Sequence, residues 1–61
     1  MGFKDDLKKY LDETGEKPYK LAGRAKVGIA SVYDFINGKK GLRLANVEKL
    51  QEAMKDNRQS Q

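Results

Sequence analysis

Residues 18–38 read "PYKLAGRAKVGIASVYDFING", and their pattern predicts two short helices joined by a three-residue turn. Pro18 suits the first turn of a helix, where its missing N–H would have no partner. The first helix should therefore span residues 18–25. The second should span residues 29–37 and end at Gly38, since glycine readily takes the left-handed conformation that closes a helix.

The side chains within this stretch match the needs of a helix-turn-helix over about residues 18–37. Ala22 is small enough to let the second helix cross the first closely. Lys26 stands where the turn favours a left-handed backbone, and Val27 supplies an apolar plug. Val32 provides the inward β-branched residue of the second helix. Helices that cross in this way leave the outer face of the second helix free for the major groove of DNA.

Apolar residues at helical spacing predict one further helix on each side. The first runs over residues 3–13 and ends before Gly15, and the last runs from residue 43 or 44 to residue 55. Residues 56–61 carry no apolar side chain and are predicted to form a flexible tail after a domain over residues 1–55. The expected fold is a small all-α domain of four helices. Its predicted core consists of Leu7, Leu11, Leu21, Val27, Val32, Phe35, Leu44, Val47, Leu50 and Met54.

Composition narrows the classes of function. The 61 residues include no Cys and no His, and the formal net charge is +4. Without a thiol or an imidazole we expect no enzyme activity, no bound metal and no cofactor. No apolar run approaches the ~20 residues that cross a bilayer, so we expect a cytoplasmic protein. Residues 17–43 hold seven basic side chains against one acid, Asp34, and this excess suits an anionic partner such as nucleic acid.

The segment "LAGRAKVGIASVYDFINGKK" resembles the helix-turn-helix of the Cro/cI-type, lambda repressor-like DNA-binding domains of phage and bacterial repressors. The segment "GLRLANVEKLQEAM" is similar to the fourth helix of that family. The resemblance implies sequence-specific binding to double-stranded DNA, with helix 29–37 in the major groove. It also implies a transcriptional repressor or regulator that is associated with the nucleoid when bound.

The chain departs from the family pattern in four ways. Lys26 replaces the usual Gly of the turn, Pro18 replaces a Gln, and Arg43 stands where Ser or Thr often caps the last helix. The fifth helix, which the family often uses for dimerisation, has no counterpart. We therefore expect a monomer, or a weak homodimer that forms on paired DNA half-sites.

The resemblance, together with the basic residues around helix 29–37, gives two sets of candidate site residues. The residues expected to read bases are Ile29, Ala30, Ser31, Tyr33 and Asp34. Those expected to hold phosphates are Lys17, Tyr19, Lys20, Asn37, Lys39, Lys40 and Arg43. Several members have alternatives. Lys39 and Lys40 could belong to a solvated loop, Tyr33 could hydrogen-bond a phosphate, and Asn37 could cap the helix. The spacing of Ile29 from Val32 and Ile36 also fits a core residue. Asp34 either accepts from a cytosine amino group, repels wrong sequences, or is a solvent-facing side chain tethered to a lysine.

Two other classes of function compete with DNA binding. A protein-interaction module, such as an antitoxin-like domain that binds a partner, could use the same small helical fold. It would be favoured by a large exposed apolar patch. A membrane-surface peptide is the third class, but acidic residues dilute the basic side of the first helix.

Overall fold

The computed structural model describes the backbone of residues 2–59 and the side chains of residues 2–57. Within those residues the chain forms four α-helices and no strand. The helices are α1 (Phe3–Thr14), α2 (Pro18–Ala25), α3 (Ile29–Ile36) and α4 (Leu44–Gln59). The small all-α domain of four helices that the sequence predicts is therefore confirmed.

The ends of the first three helices lie where the local sequence predicts them, to within one residue. Gly15 and Gly38 both take the left-handed conformation, with φ of 72° and 77°. The last helix differs from the prediction, because α4 continues beyond Lys55 to Gln59. No Gly or Pro follows Lys55, and Asn57 donates a hydrogen bond of 2.7 Å to the Tyr10 hydroxyl. Residues 60 and 61 of the predicted tail lie outside the described residues.

The core forms where α2 packs against α3 and α4, and where α1 packs against α3. Most of the predicted core is confirmed. The buried members are Leu7, Leu21, Val27, Val32, Leu50 and Met54. The half-buried members are Leu11, Phe35 and Val47. Phe3 stacks on Phe35 with ring centroids 5.8 Å apart, and this contact fixes the first turn of α1 on the last turn of α3.

Leu44 is a wrong prediction, because 72% of its surface is exposed. Its spacing from Val47 places it on the apolar stripe of α4, but it is the first residue of that helix. Leu42, in the preceding loop, packs against the core instead. Leu44 therefore stands in solvent at the edge of the domain.

Candidate nucleic-acid interface

The turn between α2 and α3 is closed by two backbone hydrogen bonds. Lys26 has φ 59° and ψ 41°, so it takes the left-handed conformation that the sequence predicts for this position. Its N–H donates to the Gly23 carbonyl at 3.3 Å, and the Val27 N–H donates to the Ala22 carbonyl at 2.9 Å. This pair of bonds is the Schellman arrangement, in which a buried apolar residue follows the left-handed one. Val27 is that residue, and only 6% of it is exposed. The turn is therefore tied firmly to the core.

The two faces of α3 differ sharply in burial. Val32 is fully buried, whereas 50% of Ile29 and 38% of Tyr33 are exposed. The alternative that Ile29 belongs to the core is therefore wrong. The end of α3 is also fixed, because the Gly38 N–H donates to the Phe35 carbonyl at 3.1 Å. The helix thus presents a rigid outer surface with two large apolar side chains in solvent.

The remaining expected base-reading residues lie around these two side chains. Ala30 and Ser31 are exposed in the first turn of α3, and Asp34 is half-buried near its end. Asp34 forms no ion pair with any lysine whose side chain is described, so the tethered alternative is not supported. The base-reading roles of these residues stay predictions.

The expected phosphate-binding residues are all exposed. One group lies at the start of α2, where Lys17 is the residue before the helix. Its members are Lys17, Tyr19 and Lys20. The other group follows α3 and consists of Asn37, Lys39, Lys40 and Arg43. These side chains reach solvent at the start of α2 and after α3, so each is available to an anionic ligand, and their phosphate-binding roles stay predictions.

Arg24 belongs to the same basic segment but is occupied within the protein. Its Nε and Nη2 atoms donate to the two carboxylate oxygens of Glu16 at 2.9 and 2.8 Å. Nη1 donates to the Ala53 carbonyl at 3.1 Å, and Nη2 also donates to the Tyr10 hydroxyl at 3.0 Å. The Tyr10 hydroxyl in turn donates to Glu16 and accepts from Asn57. These residues form a polar network, the Tyr10 network, that joins α1, α2 and α4.

The sequence interpretation missed this network, and Tyr10 is not among the predicted core residues. Tyr10 is fully buried, and burial is the largest cause that raises the pKa of its hydroxyl. Hydrogen bonds from Arg24 lower the pKa of Glu16, and the Glu16 carboxylate raises the pKa of Arg24 in return. The network holds both charges in their ionised forms. It removes Arg24 from the cations that could meet phosphate, which leaves six of the seven basic residues in the segment 17–43.

A scan against models of protein families found no match, and searches of curated proteins and of solved structures found no similar protein. Among the described residues, no helix combines the length and the apolar character needed to cross a membrane. The same part of the chain holds no group of three or more acidic, His or Cys side chains arranged to bind a metal ion.

Proposed function

We propose that this chain binds double-stranded DNA sequence-specifically, with α3 in the major groove, as a transcriptional repressor or regulator of the phage or bacterial type. The observation that carries the proposal is the outer face of α3. Ile29 and Tyr33 are exposed there to 50% and 38%, while Val32 holds the opposite face in the core. The major groove of B-DNA admits an α-helix presented in this way. A domain bound to DNA in a bacterial cell would lie at the nucleoid.

Charge supports the same ligand. Six exposed cations lie in the segment that contains the helix-turn-helix, and no ion pair joins any of them to an acid among the described side chains. They are Lys17, Lys20, Lys26, Lys39, Lys40 and Arg43. Exposed cations beside a helix that fits the major groove can bind phosphates and release the counterions of DNA. The affinity of the protein for DNA therefore falls as the salt concentration rises. These contacts position the protein but do not read sequence.

We further propose that α3 reads thymine methyl groups more than it makes paired hydrogen bonds to bases. The first turns of α3 contain no Arg, Gln or Asn, the usual bidentate partners of guanine and adenine. Ile29 and Ala30 offer methyl groups to solvent instead. Asp34 can accept from a cytosine amino group. A mismatch should therefore cost near the low end of the ~1–3 kcal/mol range.

Selection of bound sequences from a random duplex library tests the proposal. We expect the wild-type chain to enrich a short motif, and Ile29→Ser to lose that enrichment. Leu44→Ser is the matched control, because it also removes an exposed apolar side chain but lies outside α3. A palindromic motif would show that two copies bind paired half-sites. If no motif is enriched and no duplex is bound even at about 50 mM salt, the DNA proposal is refuted.

Replacing thymine by uracil in the selected motif, one position at a time, then tests the mode of reading. Uracil keeps every hydrogen bond of thymine and lacks only the methyl group. We expect the wild-type chain to bind less tightly when uracil replaces thymine at one position or more. Ile29→Ala should bind with the same affinity whether thymine or uracil occupies that position. Equal affinity at every position would mean that Ile29 does not read methyl groups.

A protein-interaction domain is the second candidate function. Leu44 is the most exposed large apolar side chain of the described residues, and Tyr19 is 45% exposed. A partner that covers these side chains would bind with weak salt dependence, in contrast to DNA. Leu44→Ser should weaken such a complex and leave duplex binding unchanged.

A further inference from the structure

The side chain of Lys4 reaches from the first turn of α1 to the end of α3. Gly38 carries no side chain, and a Cβ atom placed there would lie 3.3 Å from the Lys4 Nζ atom. The ammonium group of Lys4 therefore occupies the space directly over Gly38. Lys4 is half-buried, as expected when the carbon stem of a lysine lies along the protein surface and the charge stays in water.

Packing brings the two helix ends together. Phe3, the neighbour of Lys4, stacks on Phe35, which lies three residues before Gly38. The two aromatic rings hold the start of α1 against the end of α3, so Lys4 lies where its side chain reaches Gly38. The left-handed Gly38, closed by its N–H bond to the Phe35 carbonyl, provides the gap that the ammonium fills.

Both charges occur in the sequence near Lys4 and Gly38: Asp5 directly follows Lys4 and Asp34 lies four residues before Gly38, but lysines lie close in the sequence as well. Lys39 and Lys40 directly follow Gly38, and both are exposed. Lys8 lies one helical turn further along α1, and like charges at this spacing repel. No ion pair joins Lys4 to an acid among the described side chains. The partial negative charge at the end of a helix such as α3 offsets only a little of this repulsion. An anionic ligand would offset much more.

We propose that Lys4 is a phosphate-contacting residue, and that it forms with Lys39 and Lys40 a three-lysine clamp on the DNA backbone at the end of α3. This inference rests on the proposed DNA binding and extends it to α1, whose lysines are otherwise ordinary exposed charges. The clamp gives a role to a cation that lies over the end of α3 and forms no ion pair among the described side chains. It also predicts that α1 contributes to affinity without contributing to sequence readout.

The test compares Lys4→Ala with Lys8→Ala, since Lys8 belongs to the same helix and is exposed. Affinity for a short mixed-sequence duplex is measured from about 50 to 200 mM salt. We expect Lys4→Ala to lower the slope of log affinity against log salt by about 0.9 and to weaken binding about fivefold at 0.15 M salt. Lys8→Ala should keep the wild-type slope, and Lys4→Arg should keep both slope and affinity. Lys4→Gln, which keeps most of the side chain, should behave as Lys4→Ala does.

Thermal unfolding of the same variants separates a DNA contact from a structural role. If Lys4→Ala and Lys4→Gln keep the wild-type slope while Lys39→Ala lowers it, the clamp is refuted and DNA binding stands. A lower unfolding midpoint in the two Lys4 variants at an unchanged slope would assign Lys4 to the end of α3 alone. If the wild-type chain binds no duplex, the proposed function fails and the clamp fails with it.

Discussion

Replacing Lys26 by glycine should stabilise the domain, because Lys26 is the non-glycine residue with positive φ among the described residues. A left-handed backbone costs a residue with a Cβ atom about 1 kcal/mol. Glycine removes this cost, but it also has more conformational freedom in the unfolded chain, and this entropy cancels about half of the stabilisation. Both hydrogen bonds of the turn are made by backbone atoms, so the substitution leaves them in place. The net gain should be about 0.5 kcal/mol, or ~2–4 °C in the unfolding midpoint.

Urea and thermal unfolding, followed by circular dichroism, measure this gain. Lys26→Ala is the control that removes the charge and keeps the Cβ atom, and it should change stability by only a few tenths of a kcal/mol. Gly38→Ala is the reverse substitution. It should destabilise by about 1 kcal/mol, since φ is 77° and the new Cβ would meet the Lys4 ammonium. An unchanged or lower midpoint for Lys26→Gly, with Gly38→Ala destabilised as expected, would refute the assignment of strain to Lys26.

Three further predictions concern the Tyr10 network and the lysines after α3. Tyr10→Phe should lower the free energy of unfolding in urea by about 2 kcal/mol, because Glu16, Arg24 and Asn57 all lose the hydroxyl that they share. A loss below ~0.5 kcal/mol would mean that water replaces the hydroxyl at no cost. Stability should fall in acid, because the folded-state pKa of Glu16 is lowered from its ordinary value of 4.5. The contribution of Glu16 is complete above the unfolded-state pKa and disappears as pH falls through the folded-state value. The free energies of unfolding of wild type and Glu16→Gln should therefore converge as pH falls from 7 to about 3. Those of wild type and the exposed control Glu13→Gln should not converge. Parallel curves for wild type and Glu16→Gln would contradict the assignment. The double variant of Lys39 and Lys40 to alanine should lower the salt slope of duplex binding by about 1.8, and a wild-type slope would show that these lysines contact no phosphate.

Local signals in the sequence account for the helix-turn-helix. Pro18 and Gly38 act within one turn of the chain, so the proline and the glycine mark the start of α2 and the end of α3 without reference to the rest of the fold. The left-handed Lys26 was also predictable, because the spacing between the two helices requires such a residue there. The exposed outer face of α3 follows from the same pattern, in which Val32 is the inward residue.

The periodicity of apolar residues does not predict burial or helix ends that depend on contacts with distant parts of the chain. Leu44 matches the apolar stripe of α4, but spacing does not reveal that Leu42 in the loop takes the place in the core. The polar residues after Lys55 predict an earlier end for α4 than the structure has, because no Gly or Pro is there to stop the helix. The ligand that the outer face of α3 binds is likewise beyond what packing determines, so the base-reading and phosphate-binding roles stay predictions.

The Tyr10 network was not predictable for a different reason. Tyr10 and Asn57 are 47 residues apart, and Arg24 reaches the Ala53 carbonyl across 29 residues. Such separations leave no periodic trace in the sequence. The one local signal is Glu16, an acid in the loop eight residues before Arg24, and its use requires knowing that α1 and α2 approach each other there.

The same separations set an order of events during synthesis of the protein. Chains are made N-terminal end first, so Tyr10, Glu16 and Arg24 are all present in the chain before the last turns of α4 are added. The Ala53 carbonyl and the Asn57 amide, which complete the network, arrive last. A nascent chain that ends before Asn57 therefore carries a tyrosine hydroxyl with an incomplete set of partners. Arrival of the last turns of α4 supplies the missing partners and ties Arg24 of the helix-turn-helix to the C-terminal helix.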